Sequence, residues 1–362
     1  MKKSYMQKNI LPSLSGRVWG VALLLLCVPF FIACNDEWKD EQYAHYISFK
    51  APLNDNGVTA VYVPYTRHSD DGTPEIGIGK SYYDLPVLVS GTTDNNRDIN
   101  VKIGLSDTLA QLNFERFGNP TYRSDIVDLY YKDMQNFASF PSTLLIPKGE
   151  NKALLRVSFD FAKDGGIDMV EKWVLPLEIQ KDGSYEPHPR KNYAKAMLRV
   201  YPYNDYSGNY SATTLTVSNK GDETNATGME TARGYVVDEN TIFFYAGTVD
   251  ETRTDRRKYK VFFKFNPANE SGTEGTVDVY SDNAENNGFV NNSAITRFQI
   301  YEQQDDIQPW LLHHYVIISN IDYEYIDEPV AGIQMPYVVK GILTLERQLN
   351  TQIPNEDQAI QW

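Results

Sequence analysis

Residues 258–280 read KYKVFFKF, NPANESGT and EGTVDVY in succession, and this stretch decides the fold class of the chain. The first and last parts alternate apolar and polar side chains, and residues that favour turns fill the segment between them. This pattern is typical of two antiparallel β-strands that bury one face and expose the other.

The same pattern recurs along most of the sequence, with Gly, Asn, Asp and Pro between the strands. Up to residue 203 the predicted strands are 45–50, 58–65, 83–90, 99–105, 143–147, 152–159, 172–180 and 195–201. Beyond that point they are 209–217, 233–237, 241–248, 258–265, 274–280, 295–301, 312–325 and 337–346. An all-β protein is therefore expected.

Two segments of the first half have apolar residues at helical spacing, 106–117 and 125–137, so we expect a helical insertion there. The turn-rich PYNDYSG at 202–208 places a domain boundary near residue 203. We predict an immunoglobulin-like β-sandwich over 43–202 and a C-terminal antiparallel β-sandwich or barrel over 203–362.

The first 33 residues have the pattern of a bacterial signal peptide. Lys2, Lys3, Lys8 and Arg17 precede an uncharged apolar run that starts near Val21 and is too short to span a bilayer. The run ends in FIAC at 31–34, which reads as a lipobox with a Phe where Leu is usual. Cys34 is therefore the predicted lipidation site, and its acyl chains would anchor the protein to outer-membrane lipid.

Residues 34–42 form an acidic tether. The start NDEWKDE resembles the surface-export signal of Bacteroides-type lipoproteins. We therefore expect a lipid-anchored outer-membrane protein that faces the extracellular side, and a periplasm-facing lipoprotein is the alternative.

Composition excludes several classes of function. Removal of the four signal-peptide cations changes the formal net charge from −14 to −18, which disfavours nucleic acid and suits an uncharged partner such as a neutral sugar. Cys27 leaves with the signal peptide and Cys34 is consumed by lipid, so neither a disulfide nor a cysteine metal site is expected.

Five segments together carry a resemblance to a known family. They are the lipobox, LLIPKGENKALLRVSFDF from 144, KWVLPLEI from 172, YNDYSGNYS from 203 and the tail from 337. They resemble a family of Bacteroides surface lipoproteins whose immunoglobulin-like domain also precedes the barrel of some family 18 endo-glycosidases. The resemblance implies glycan capture within a polysaccharide utilisation locus, beside a TonB-dependent transporter and its lipoprotein lid.

The sequence carries no recognisable motif for catalysis, for a metal site or for a cofactor. The segment DGGIDMVE at 164–171 lacks the alternating acids of the family 18 motif and is interpreted as a turn. His313 and His314 are adjacent in a predicted strand, so they point to opposite faces and cannot share a metal. The acid and amide runs at 281–287 and 355–357 lack the ligand spacing of a calcium loop.

Aromatic side chains near loops are the candidates for glycan binding, because an exposed ring can stack on a pyranose. Trp310 is the first choice, since it follows Asp305, Asp306 and Gln308. Tyr206, Tyr210 and Trp362 are weaker candidates. The expected function is non-catalytic glycan binding, and the alternatives are a structural or adhesive lipoprotein that contacts protein and a glycan-active hydrolase.

Overall fold

The computed structural model describes residues 44–353 apart from 70, 92, 191 and 270, together with 360–361. Strands account for 51% of the chain and helices for 9%, so the all-β prediction is confirmed. The predicted signal peptide, Cys34, the tether and Trp362 lie outside the described residues. Within the described part, no helix is long and apolar enough to cross a membrane.

The first domain is a sandwich of two sheets. Its strands β1 to β11 are Tyr46–Phe49, Thr59–Pro64, Lys80–Val89, Ile99–Leu105, Tyr131–Asp133, Ala138–Ser139, Thr143–Ile146, Lys152–Asp160, Lys172–Ile179, Glu186–Pro187 and Lys195–Tyr203. One sheet has the order β10-β1-β3-β8-β6, and the other has the order β2-β11-β9-β4-β7 with β5 beside β9. Alternate residues such as Val87, Leu155, Leu177 and Leu198 are fully buried and fill the core.

The helical insertion is confirmed in its first half and wrong in its second. Helix α1 spans Leu109–Phe117, whereas 125–137 contains the end of a short 3₁₀ helix (Ser124–Leu129), strand β5 and a second 3₁₀ helix (Gln135–Phe137). The side-chain amide of Asn113 donates to the carbonyl oxygen of Tyr131 at 2.9 Å and accepts from its N–H at 2.8 Å. This clamp and pairing with β9 hold Tyr131 extended, so tertiary contacts override the helical spacing.

The second domain is built on a larger antiparallel sheet. Strands β12 to β23 are Gly208–Ser211, Thr216–Asn219, Asp222–Gly228, Thr231–Val236, Thr241–Tyr245, Lys260–Pro267, Glu274–Tyr280, Val290–Asn291, Thr296–Gln304, Leu311–Val330, Ile333–Asn350 and Ile360–Gln361, and helix α2 is Ala284–Asn287. Eight of them pair in a closed circuit, β12-β15-β16-β17-β18-β20-β21-β22, and β22 pairs again with β12. Of the two predicted alternatives, this is a barrel-like sheet.

A long hairpin of β21 and β22 closes the circuit and then extends beyond it. The half at the open end of the hairpin, residues 312–319 and 344–345, pairs with β20 and β12. The half next to its turn, residues 323–324 and 337–340, pairs with β19 and β13. The change occurs at a bulge where Asn320 has a φ of 59°. Nearby, Gly341 has a φ of 140°, and a Cβ atom there would lie 2.1 Å from the Thr214 carbonyl oxygen. Glycine is required because the β12–β13 connection passes so close to β22.

The two faces of this closed sheet both carry aromatic residues. The inner face contains Tyr210, Phe244, Phe263 and Phe298, all at most 3% exposed. An outer row crosses β15 to β18 as register partners, and its members are Tyr235, Phe243, Phe262 and Tyr280. We call these four side chains the covered row, because three of them are at most 8% exposed.

The domains meet around two arginines of a 3₁₀ helix, Arg256–Tyr259. Arg256 is 2% exposed, and its guanidinium donates to the carbonyl oxygens of Asp128, Val170 and Arg253 at 2.6, 3.0 and 3.0 Å. Arg257 forms ion pairs with Asp168 and Glu171. These acids belong to the 164–171 segment, which contains the end of a short 3₁₀ helix (Lys163–Gly165) and, as predicted, a turn before β9. Through Arg257 the segment also contacts the second domain.

Candidate functional site

The structure separates the predicted glycan-binding aromatics. Trp310 lies at the surface with 40% of the residue exposed, whereas Tyr206 and Tyr210 are 5% and 0% exposed. The Tyr206 ring stacks on Phe265 with centroids 3.8 Å apart, and the Tyr210 hydroxyl donates to the Tyr206 carbonyl oxygen at 2.5 Å. Their rings fill the closed sheet where a sugar cannot reach them, which corrects the sequence-based choice of this pair.

Trp310 ends a tight loop, residues 305–310, between β20 and β21. One carboxylate oxygen of Asp305 accepts from the N–H groups of Ile307 and Gln308 at 2.8 and 2.6 Å. At the other end, the carbonyl oxygen of Trp310 accepts from the N–H and the hydroxyl of Thr351 at 2.8 and 2.9 Å. The backbone of the loop is thus fixed at both ends, which presents the exposed Trp310 in a defined place.

A pair of stacked tyrosines, Tyr301 and Tyr315, stands beside this loop on the outer face of the sheet. We call this pair the tyrosine platform. The two residues are register partners on β20 and β21, and their ring centroids are 4.8 Å apart at an interplanar angle of 21°. Tyr301 is 46% exposed. Strand β18 pairs with β20 only up to Gln299, so within the described chain no strand pairs with this side of Tyr301.

His313 joins the loop to the platform. Its Nδ1 lies 2.7 Å from a Glu346 carboxylate oxygen, and its Nε2 lies 3.1 Å from the second carboxylate oxygen of Asp305. The hydrogen bonds to Glu346 and Asp305 raise the pKa of His313 above its ordinary 6.5. His314 instead contacts Glu302 at 3.2 Å, so the prediction that the two histidines point to opposite faces is confirmed.

The two carboxylates beside the platform are held in their ionised form. Backbone N–H groups of Gln308 and Ile307, followed by His313, lower the pKa of Asp305, and the hydrogen bond with His313 lowers that of Glu346. A glycosidase needs one carboxylic acid that stays protonated near neutral pH to protonate the leaving group. This pair is therefore suited to accept hydrogen bonds from hydroxyl groups rather than to catalyse hydrolysis.

The sequence did not reveal the tyrosine platform, because Tyr301 and Tyr315 look like ordinary strand tyrosines. The signal that could have found them is the cross-strand register, which requires knowing the connection between β20 and β21. Trp362 and Cys34 lie outside the described residues, so these two predictions are unchanged. Among the residues with a described structure, no cluster of three or more His, Cys, Asp or Glu side chains could hold a metal ion.

Comparisons with known proteins place this architecture in a family. A model described as a domain of unknown function, DUF4973, matches residues 38–183, and a model of a C-terminal domain matches residues 194–344. The comparison with curated proteins finds no match.

Solved structures are much more informative. An auxiliary nutrient binding protein from Bacteroides thetaiotaomicron is 48% identical, with 88% of this chain and 100% of that chain covered and a TM-score of 0.76. This chain belongs to the same Bacteroides family. A multidomain protein including DUF1735 from Bacteroides ovatus, another member, is 38% identical, with 88% of this chain and 100% of that chain covered and a TM-score of 0.72. A third member, a protein of unknown function from Bacteroides ovatus, is 34% identical, with 90% and 97% covered and a TM-score of 0.71.

The predicted resemblance to a Bacteroides family is thus confirmed. The descriptions of these three members name nutrient binding, a multidomain protein and an unknown function, and none of the three names an enzymatic activity.

Proposed function

We propose that the protein is a non-catalytic glycan-binding lipoprotein of the cell surface that helps to capture an oligo- or polysaccharide for a TonB-dependent transporter. The observation that carries the proposal is the exposed tyrosine platform beside Trp310 and two fixed carboxylates. Aromatic faces stack on the apolar side of a pyranose, and ionised carboxylates accept hydrogen bonds from its hydroxyl groups. The description of the 48% identical relative as an auxiliary nutrient binding protein supports the same role.

The platform also supports a neutral glycan as the ligand. Its polar neighbours Asp305 and Glu346 are acceptors, and His313 is already engaged by both. Hydroxyl groups can donate to these oxygens, whereas an anionic ligand would be repelled. Because the platform lies in the second domain, we expect that domain to carry the affinity for the glycan. The boundary of the domain is proposed near residue 203.

Binding experiments with the mature protein and a panel of plant and host polysaccharides test this role. In Tyr301→Ala the affinity should fall about tenfold or more. Stacking of an aromatic side chain on a nucleic-acid base is worth roughly 1–3 kcal/mol, we assume the same order for a pyranose face, and about 1.4 kcal/mol is tenfold. Trp310→Ala should have an effect of similar size. The matched control is Tyr122→Ala, which removes a tyrosine that is 88% exposed in the first domain.

Two results would contradict this proposal. One is unchanged affinity in both folded variants, Tyr301→Ala and Trp310→Ala, and the other is release of new reducing ends from a bound glycan by the wild-type protein. Binding to a protein but to no glycan would favour the structural or adhesive alternative instead.

We propose that Cys34 anchors the protein in the outer membrane, with the acidic tether directing it to the outside. Cys34→Ala should abolish incorporation of labelled palmitate, because Cys27 is lost with the signal peptide. Digestion of the wild-type protein by protease added to intact cells would support surface display. Continued palmitate labelling of Cys34→Ala would refute the anchor, and full protection from the protease would refute the display.

A further inference from the structure

A second group of polar side chains, far from the platform in sequence, lies between the two domains. Arg199 on β11 forms an ion pair with Glu251, with Nη2 and Oε2 3.2 Å apart, and the Tyr235 hydroxyl donates to the same oxygen at 3.4 Å. The charges of Lys172 on β9 and Arg233 on β15 also act on Glu251 and, with Arg199, lower its pKa against the effect of burial. We call Lys172, Arg199, Arg233 and Glu251 the junction cluster.

Positive charge exceeds negative charge in the junction cluster. Three cations face the single carboxylate of Glu251, and Arg116 and Arg256 add further positive charge near Lys172. This excess is unusual in a chain whose formal net charge is −14. Buried or half-buried cations without enough counter-charge are costly, so such an excess favours a bound anion.

Two of the three cations have free donors. Arg199 is committed to Glu251, but in the described part of the chain neither the Lys172 ammonium nor the Arg233 guanidinium donates a hydrogen bond to a protein group. Lys172 instead lies over the Phe117 ring at 5.4 Å, and Arg233 lies over the Tyr201 ring at 4.5 Å. Burial, aided by the neighbouring arginines, lowers the pKa of Lys172 to about 8. An anion placed beside the ammonium would reverse that shift.

Aromatic rings and an opening complete the site. Tyr201 stacks on Tyr62 with centroids 5.1 Å apart at an interplanar angle of 18°, and Arg199 also lies over the Tyr201 ring at 4.8 Å. The Glu251 side chain is 36% exposed, so the cluster reaches solvent at this residue. Cations and one hydrogen-bond acceptor are the groups that would recognise an acidic sugar, through its anion and its hydroxyls respectively.

We propose that the junction cluster is a second saccharide site that binds the anionic group of an acidic sugar, with Lys172 and Arg233 as its donors. It rests on the proposed function only in taking a saccharide as the ligand. The tyrosine platform selects hydroxyl groups through its carboxylates, so the two sites would read different parts of a glycan. The overall acidity of the chain argues for neutral ligands, but the junction cluster is a local exception to it.

The experiment measures binding of single sugars to the mature full-length protein by calorimetry and by ligand-detected NMR. The probes are D-glucuronate and D-galacturonate, with D-glucose and D-galactose as their neutral counterparts and inorganic sulfate as a non-sugar anion. A uronate should bind at least tenfold more tightly than its neutral counterpart. Lys172→Gln and Arg233→Gln should each weaken uronate binding at least tenfold. The matched controls Lys264→Gln and Arg297→Gln, which alter exposed cations on β17 and β20, should leave it unchanged.

A second measurement does not depend on the variants folding. The pKa of Lys172, followed by NMR in the wild-type protein, should rise when uronate binds. Sulfate that binds as tightly as uronate would assign the site to free anions and overturn the saccharide proposal. Equal binding of uronate and neutral sugar, no change in the Lys172 pKa, or no binding at all would overturn it too, and would leave a cluster that only joins the domains.

The test also separates the two proposals. Uronate binding that is lost in Tyr301→Ala but kept in Arg233→Gln would belong to the platform and refute the junction site. Polysaccharide binding that depends on Tyr301 while no uronate binds would refute the junction site and leave the proposed function intact.

Discussion

The covered row and the tyrosine platform are two aromatic groups on the outer face of the same closed sheet, and they have different environments. Tyr235, Phe243 and Phe262 are 7%, 1% and 8% exposed, whereas Tyr301 is 46% exposed. The covered row begins at the domain junction, where Met169 and Tyr201 of the first domain and Tyr235 of the second line one small cavity. An outward aromatic row is therefore domain interface where it is covered and a candidate binding surface where it is not.

The last side chain of the covered row, on the side away from the domain junction, is much more exposed than the other three. Tyr280, its last member, is 42% exposed although it stacks on Phe262 with centroids 5.2 Å apart. The pairing of β17 with β18 thus continues to a position where the side chain is no longer buried. Exposure on this face therefore changes along one continuous run of paired strands.

The largest expected effect is a difference in stability between variants that lose one ring from the covered row or from the tyrosine platform. Phe243→Ala should lower the free energy of unfolding by about 3–5 kcal/mol, because it leaves a cavity between closely packed rings. Tyr301→Ala should change it by less than about 1 kcal/mol, since surface substitutions are usually within about 0.5 kcal/mol. Chemical denaturation of the two variants checks this, and equal losses would show that both rows are structural.

The second prediction concerns the contacts that Arg256 makes between the two domains. Arg256→Ala should lower the free energy of unfolding by about 2–3 kcal/mol, because it leaves buried carbonyl oxygens of Asp128 and Val170 without the charged donor. Hydrogen exchange at the amides of β16 should also become faster. Arg297→Ala, at an exposed position on β20, is the matched control. Unchanged exchange in Arg256→Ala would mean that the junction does not depend on this side chain.

The smallest expected effect is a pH dependence at the platform. The folded-state pKa of His313 is raised by Glu346 and Asp305, so its ion pairs stabilise the fold fully below the ordinary pKa of 6.5. This contribution is lost as the pH rises through the higher folded-state pKa. The stability difference between wild type and His313→Gln should therefore be larger near pH 5.5 than near pH 9, as measured by denaturation at both values. A difference that grows with pH would contradict the ion pairs.

Much of the fold could be predicted from the sequence, because strand alternation and turn residues are local signals. The strands at 258–265 and 274–280 became β17 and β18, and the helix predicted at 106–117 became α1. Predictions failed where distant residues set the backbone. The predicted strand 209–217 is broken into β12 and β13 by a turn in which the Leu215 N–H donates to the Ala212 carbonyl oxygen, and both strands pair with the distant β22. Residues 125–137 are held partly extended by Asn113 and β9.

The sequence by itself determined that the chain is β-rich and acidic, that it carries a lipobox pattern and that it has aromatic residues in abundance, because these depend on residue type and spacing alone. Only the tertiary structure decided which aromatics are available. Tyr206 precedes β12 and Tyr210 lies within it, and closure of the sheet buries both rings. Tyr301 instead stands where β18 no longer pairs with β20. Burial is set by which distant segment covers a side chain, and local spacing does not encode that partner.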